Sequence, residues 1–288
     1  MEYSKEELSK LNEKFKAILP VLCSQLFYKH KELLRQKLLY HYTNYNSFIN
    51  GIVCDNREIG KEVCLWATHW KHLNDPQEIN LGYNRFTEII KEDINYCFTK
   101  VLNDSKQISL SKKRDFLPMW SLYGNNGSGI MLSINTAKLL KNYGLLLMPC
   151  IYENSEYDHN AMSKLSQLDF GETFKDFSSV EIIYPLTILM SMYISILKDK
   201  SYEFEDEVRI IWIDNKYFID STKEEYRVAD GNKIIPFTKV FFAKDILEEV
   251  IVGPNQDAER NCETIKRYLA SIGLEHVKVG ISKVPYNG

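Results

Sequence analysis

Acids and one guanidinium crowd a short stretch of the chain, Tyr202-Glu203-Phe204-Glu205-Asp206-Glu207-Val208-Arg209-Ile210-Ile211-Trp212. Taken as a β-strand it alternates. Tyr202, Phe204, Asp206, Val208 and Ile210 point one way; Glu203, Glu205, Glu207, Arg209 and Ile211 point the other. Like charges on one strand face repel unless something nearby needs them. One outcome is a solvated face on which Arg209 neutralises two glutamates. The other is an active-site wall. There Glu205 or Glu207 holds a substrate or stabilises a developing positive charge, and Arg209 sets that acid's pKa and orientation.

Other side chains could join them. His41 ends a short strand and could bond a ligand hydroxyl or a backbone group, with Thr43 beside it. Trp66, Trp70 and Trp120 offer flat faces for stacking, or simply core volume. Asn74, Asp75 and Glu78 could meet a substrate, and Asp75 with Glu78 also suits a helix start. Gly124-Asn125-Asn126-Gly127-Ser128-Gly129 lets backbone approach a ligand or turn tightly; it is neither a Walker loop nor a dinucleotide fingerprint. His69 and His72 lack a matched third ligand, so no metal is expected. No Gly-x-Ser-x-Gly elbow supports serine hydrolysis.

The elements that must position these residues follow from pattern. The chain has 288 residues, 44% hydrophobic and 26% charged, with a net charge of −3. That is an ordinary globular composition with room for a core and no whole-chain basic field for nucleic acid. The cysteines at 23, 54, 64, 97, 150 and 262 show no metal-like pairing, as expected for reduced thiols of a cytoplasmic protein. Neither a signal peptide nor a membrane span is expected; the apolar run Ile182–Leu197 reads as a buried helix interrupted at Pro185.

In order, residues 4–37 read as helices forming an N-terminal extension (1–37), and 38–288 as one α+β domain with a helical insertion near 155–198. Strands are expected at 38–43, 63–68, 107–111, 130–134, 145–152, 202–213 and 250–252, with a last one near 277–281. Helices are expected at 45–53, after Asp75, at 136–142 and at 257–272, with Gly273 as the stop. Gly231-Asn232 is a turn candidate within a hairpin-like segment. Strands and helices mix without a βαβ rhythm, which predicts α+β with a mixed, largely antiparallel sheet.

As an ordered set the motifs resemble the bacterial family of domain of unknown function 2971 (DUF2971). The pieces are Leu39-Tyr40-His41-Tyr42-Thr43, Leu65-Trp66-Ala67-Thr68, Asn74-Asp75-Pro76 with Glu78, and Ser109-Leu110-Ser111. Then come Met119-Trp120, Tyr123, Gly127 and Gly129, the group Tyr202, Glu205, Glu207 and Arg209, and Glu249-Val250-Ile251-Val252-Gly253-Pro254. The resemblance covers about residues 38–286. Its layout is distantly similar to the ADP-ribosyltransferase fold. That resemblance implies His41 as the first signature residue, Trp66 or Thr68 as the second, and Glu205 or Glu207 as the third. The transferase branch with a Glu-x-Glu pair usually begins with Arg, where this chain has His41.

What the resemblance implies is cleavage of the nicotinamide–ribose bond of NAD, which is bound as a substrate with no tightly held cofactor. Glu207 is the first choice for the catalytic acid, Glu205 the second, and Arg209 their partner. Ligand contacts would come from His41, Tyr42, Thr43, Trp66, Thr68, Asn74, Asp75, Trp120 and Tyr123. A role in defence or as a toxin is the expected setting, with an acceptor left open. Two alternatives stand beside it: a non-catalytic nucleotide- or peptide-binding module, and a metal-dependent enzyme acting on nucleic acid.

Overall fold

A computed structural model describes residues 33, 35–53, 63–75, 77–90, 105–143, 146–165, 191–213, 224–229, 233–255 and 257–285. The expected N-terminal helices, most of the 155–198 insertion and the Gly231-Asn232 turn lie outside them.

The strands, in chain order, are β1 (Leu38–Thr43), β2 (Val63–His69), β3 (Ser105–Ser111), β4 (Ile130–Asn135), β5 (Leu146–Pro149), β6 (Ile151–Tyr152), β7 (Leu197–Lys198), β8 (Glu207–Ile213), β9 (Glu224–Ala229), β10 (Lys233–Phe242), β11 (Leu247–Val252) and β12 (Lys278–Ile281). All but β6 and β7 join one sheet with the order β12-β11-β4-β1-β3-β2-β10-β9, and β8 and β5 branch from β3. Only β11–β12 is parallel in it, and β6–β7 form a separate parallel pair. The fold is α+β with a mixed, mostly antiparallel sheet, as the pattern predicts.

Period-two alternation divides the sheet into two faces. Leu39, Leu65, Ala67, Ile108, Leu110, Ile130, Leu132 and Ile134 face one side and form the main core with Cys262, Ile265 and Leu269 of the helix Ala258–Ser271. Tyr40, Tyr42 and Met131 face the other side and pack on Met119 and Trp120 of the short helix Leu117–Leu122.

Two expectations need correcting. The acidic stretch is not one strand over 202–213. Residues Lys200–Glu205 form a 3-10 helix, Asp206 turns the chain at φ 45°, and only then does β8 begin. Asp199 caps the helix by accepting from the Ser201 amide at 2.7 Å, a local bond that competes with extended structure. The helical insertion near 155–198 is also cut short at its C-terminal end. Residues 191–196 are helical, but Leu197–Lys198 pairs with Ile151–Tyr152 as a strand.

The feature that makes room for a site is a split in the sheet. β3 pairs with β8 along its whole length, Ser105 to Ser111. Its other edge is shared. β1 meets it only at Ser111, and β2 only at Gln107 and Lys106. Lys112 N–H donates to the Asp206 carbonyl at 3.1 Å on the β8 side, so the odd-numbered peptide groups of β3 face the shared edge. Between the two short pairings, Ser109 faces a gap.

Candidate active site

A cleft of about 340 Å³ opens over this gap, near the lower end of the range for small-molecule sites. Its walls come from β1, β2, β3, β7, β9, the loop 72–75, the 117–123 segment and the acidic turn. His41, Tyr42, Thr43, Trp66, Thr68, Asn74, Asp75, Tyr123, Glu205 and Glu207 all line it. Chain segments far apart in sequence are thus brought together.

His41 closes the gap in the ladder. Its Nδ1–H donates to the Ser109 carbonyl at 3.1 Å. A carbonyl only accepts, so this bond sets the tautomer and leaves Nε2 as an acceptor. Burial pushes the ring's pKa below the ordinary histidine value. The Ser109 bond opposes that shift and the Arg227 charge adds to it. The neutral ring is therefore the form present at neutral pH.

Glu205 and Glu207 share two buried cations. Lys198 Nζ donates to Glu205 Oε2 at 2.5 Å and to Glu207 Oε2 at 2.7 Å. Arg209 holds Glu207 with two bonds, Nε to Oε1 at 3.0 Å and a terminal nitrogen to Oε2 at 2.8 Å, and also donates to the Ser195 carbonyl. The Asp75 carboxylate adds a third negative charge that acts on Arg209. Both glutamates are buried, and Arg209 is fully so. Burial pulls the Lys198 ammonium down, but Glu207, Cys150 and Glu205 more than offset this, and its pKa lies above the ordinary lysine value. Burial lowers the Arg209 guanidinium to about 9, which still leaves it charged at neutral pH.

The two glutamates differ in freedom. Both oxygens of Glu207 are held by cations, and the Cys150 thiol donates to Oε2 at 3.5 Å. The Glu207 amide donates to the Tyr152 hydroxyl at 2.8 Å. Glu205 has one cation, on Oε2, and accepts from the Tyr123 hydroxyl on Oε1. Burial pushes its carboxyl above the ordinary glutamate value, while Lys198 and Tyr123 pull the other way. Asp75 accepts from the Gln77 amide through Oδ1 at 2.8 Å, the capping role its sequence context predicts. Its buried Oδ2 has no hydrogen-bond partner among the described residues, and Asp75 lines the cleft.

Two expected residues do not reach the cleft wall. Arg209 lies behind Glu207. Trp120 is fully buried under Tyr42, with ring centroids 5.0 Å apart, and its indole N–H donates to Asp115 Oδ1 at 2.8 Å. Trp66 does line the cleft, but its ring is already in company. The Phe237 ring lies 4.8 Å away, the Arg227 guanidinium is 5.2 Å from its centroid, and Gly51 packs against its six-membered ring. Sequence reasoning missed Lys198, Gln107, Ser109 and Arg227. Lys198 had a signal: it directly follows the long apolar run ending at Leu197, and a lysine carried into a core needs an acid.

His69 and His72 sit edge to face, centroids 6.0 Å apart, and His69 Nδ1 accepts from the Lys71 amide. Among the described residues no three His, Cys, Asp or Glu side chains converge on a common point. No described helix is long and apolar enough to cross a membrane.

Residues 119–210 match the family model described as "Protein of unknown function (DUF2971)", which bears out the resemblance over that stretch. It spans Trp120, Tyr123, Lys198, Glu205, Glu207 and Arg209. No curated protein and no solved structure matches the chain.

Proposed function

We propose that the chain is a glycosyl-transferring enzyme that holds NAD or a related nucleotide in the split of its sheet and cleaves the nicotinamide–ribose bond. The observation that carries this reading is convergence. The acid turn and the neutral, tautomer-defined His41 line one cleft of ligand size. The nicotinamide leaves with the electron pair of the C–N bond. Positive charge develops on the ribose, and a water or acceptor nucleophile attacks the same carbon. A carboxylate beside that carbon stabilises the transition state more than the ground state.

Glu205 takes this role ahead of Glu207. It is the acid with fewer cationic partners, and its raised pKa suits it to accept the nucleophile's proton. Glu207, Arg209 and Lys198 position it. The Nε2 of His41 accepts a hydrogen bond from a ribose hydroxyl, and Asp75 accepts from another donor of the ligand.

Incubation with NAD, following nicotinamide release and measuring binding by calorimetry, tests the reading. Glu205→Gln is expected to reduce release by about 100-fold or more, the scale of losing one transition-state electrostatic contact, with the fold intact. Neither release nor binding by the native chain would remove NAD as the substrate. Full activity in Glu205→Gln would remove Glu205 as the acid.

A further inference from the structure

Two donor residues that line the cleft have a buried nitrogen without a hydrogen-bond partner among the described residues. Gln107 is 3% exposed, yet its Nε2 has no hydrogen-bond partner among the described residues. Arg227 lines the same cleft, and its buried Nε is likewise unpartnered. The two acids nearest it on β9 are already committed. Glu225 pairs with Lys239 at 2.9 Å, and Glu224 pairs with Lys106 at 3.2 Å and accepts from Tyr226. No ion pair to Arg227 forms among the described residues. Its guanidinium lies instead over the Trp66 ring.

Register puts these groups on one face but three strands apart; the cleft that both line, and the reach of the Arg227 side chain back to Trp66 on β2, bring them toward each other. Gln107 pairs with Thr68, Thr68 with Phe237, and Phe237 with Glu225, two residues before Arg227. Directly opposed residues share a face, and so do residues two apart. A partly buried charge without an acid and a fully buried amide without an acceptor both cost stability in the empty protein. Planar guanidinium groups match oxyanions. Glu205 and Glu207 are held by Lys198 and Arg209, so neither of them pairs with Arg227.

We propose that Arg227 and Gln107 form an oxyanion subsite that takes the phosphate of a nucleotide ligand. The subsite deepens the function proposed above, resting on the same cleft, and orients the ligand. The glycosidic end lies toward Glu205; the phosphate lies toward Arg227 and Gln107, on the side where the Arg227 charge reaches His41. No covalent step involves either residue.

Calorimetry with ADP, adenosine, inorganic pyrophosphate and succinate tests this without catalysis. ADP should bind at least about tenfold tighter than adenosine, the scale of one charge-assisted contact. Arg227→Met should erase that preference while leaving adenosine affinity within about twofold, and Arg227→Lys should keep part of it. Gln107→Leu should weaken ADP yet raise the melting temperature of the empty protein, because it removes an unsatisfied buried amide. Equal affinity for ADP and adenosine overturns the proposal, as does a preference that survives Arg227→Met, or no binding of either. Succinate bound in place of ADP, and lost in Arg227→Met, overturns the phosphate assignment in favour of a carboxylate. The two readings fail separately. ADP binding through Arg227 without nicotinamide release removes only the chemistry, and release with unchanged KM in Arg227→Met removes only the subsite.

Discussion

Taking away the Lys198 ammonium would leave Glu205 without a cationic partner among the described residues, and Glu207 with Arg209 alone, inside the protein. Breaking a buried ion pair by removing one partner costs about 3–5 kcal/mol, because the other charge stays buried. Lys198→Met is therefore expected to destabilise by that amount near neutral pH. The sign with pH follows from linkage. The folded-state pKa of Lys198 is raised, so its contribution is fully present below the unfolded lysine value and is lost only as pH rises through the folded one. In the variant, the Glu205 carboxylate, which burial already pushes above the ordinary glutamate value, loses its cation and takes up a proton on acidification, so the penalty should shrink from pH 8 to pH 5. Denaturant melts of both proteins at the two pH values measure it. A penalty below about 1 kcal/mol at pH 8, on the scale of an exposed pair, or one that grows on acidification, would contradict the network.

At the scale of elements, the cleft depends on close approaches that side chains would block. The segment after β1 starts as a turn of α-helix at Tyr45–Ser47, capped by the Asn44 side chain, and widens to a π-helix at Phe48–Ile52. This brings Gly51 against Trp66; a Cβ there would lie 1.9 Å from the indole. Gly51→Ala must displace Trp66 or the helix, so we expect a loss of about 1–3 kcal/mol, as for other overpacked sites, with a shifted tryptophan emission. An unchanged melting temperature and spectrum would mean that this contact is looser than described. The Gly124–Gly129 stretch has a related use. Asn125, Asn126 and Gly127 adopt positive φ, and a Cβ on Gly129 would lie 2.3 Å from the Thr43 carbonyl. The stretch lets the strand after the turn sit directly beside the end of β1.

Across the whole molecule, β3 is the hub. It touches β8 on one edge and β1 and β2 on the other, whereas β9 ends the sheet. The outer face of the β9–β10 hairpin exposes Tyr226, Val228 and Ile234, at 66%, 74% and 64%. Backbone amides should follow this hierarchy in hydrogen exchange, with β3 and β8 opening last and β9 early. The even-numbered amides of β3, which face β8, should outlast that of Ser109, which faces the gap. Site-resolved exchange would show this directly. Equal protection of β9 and β3 would mean that something covers the edge.

Much of this was legible in the chain. Period-two alternation marks the strands and their buried faces. The acidic cluster, His41 and the Asp75 cap stand out because each depends on residue type and on neighbours within a few positions. Glu207 and Arg209 share a face, as alternation alone requires. The turn at Asp206 was not legible, because a left-handed aspartate and a 3-10 helix capped by Asp199 leave no periodic trace. Nor was the split at Ser109. Which strand pairs with which edge of β3 depends on contacts between segments far apart in sequence, and local pattern carries no register between them. The same holds for Lys198, Gln107 and Arg227: each is an ordinary polar residue in its own segment. Their importance comes from what faces them, two acids for Lys198 and an open cleft for the others. Composition and periodicity determined the class of fold and which residues could do chemistry; only the tertiary structure decided which of them meet, because charge compensation and unpaired donors belong to pairs of segments rather than to either one.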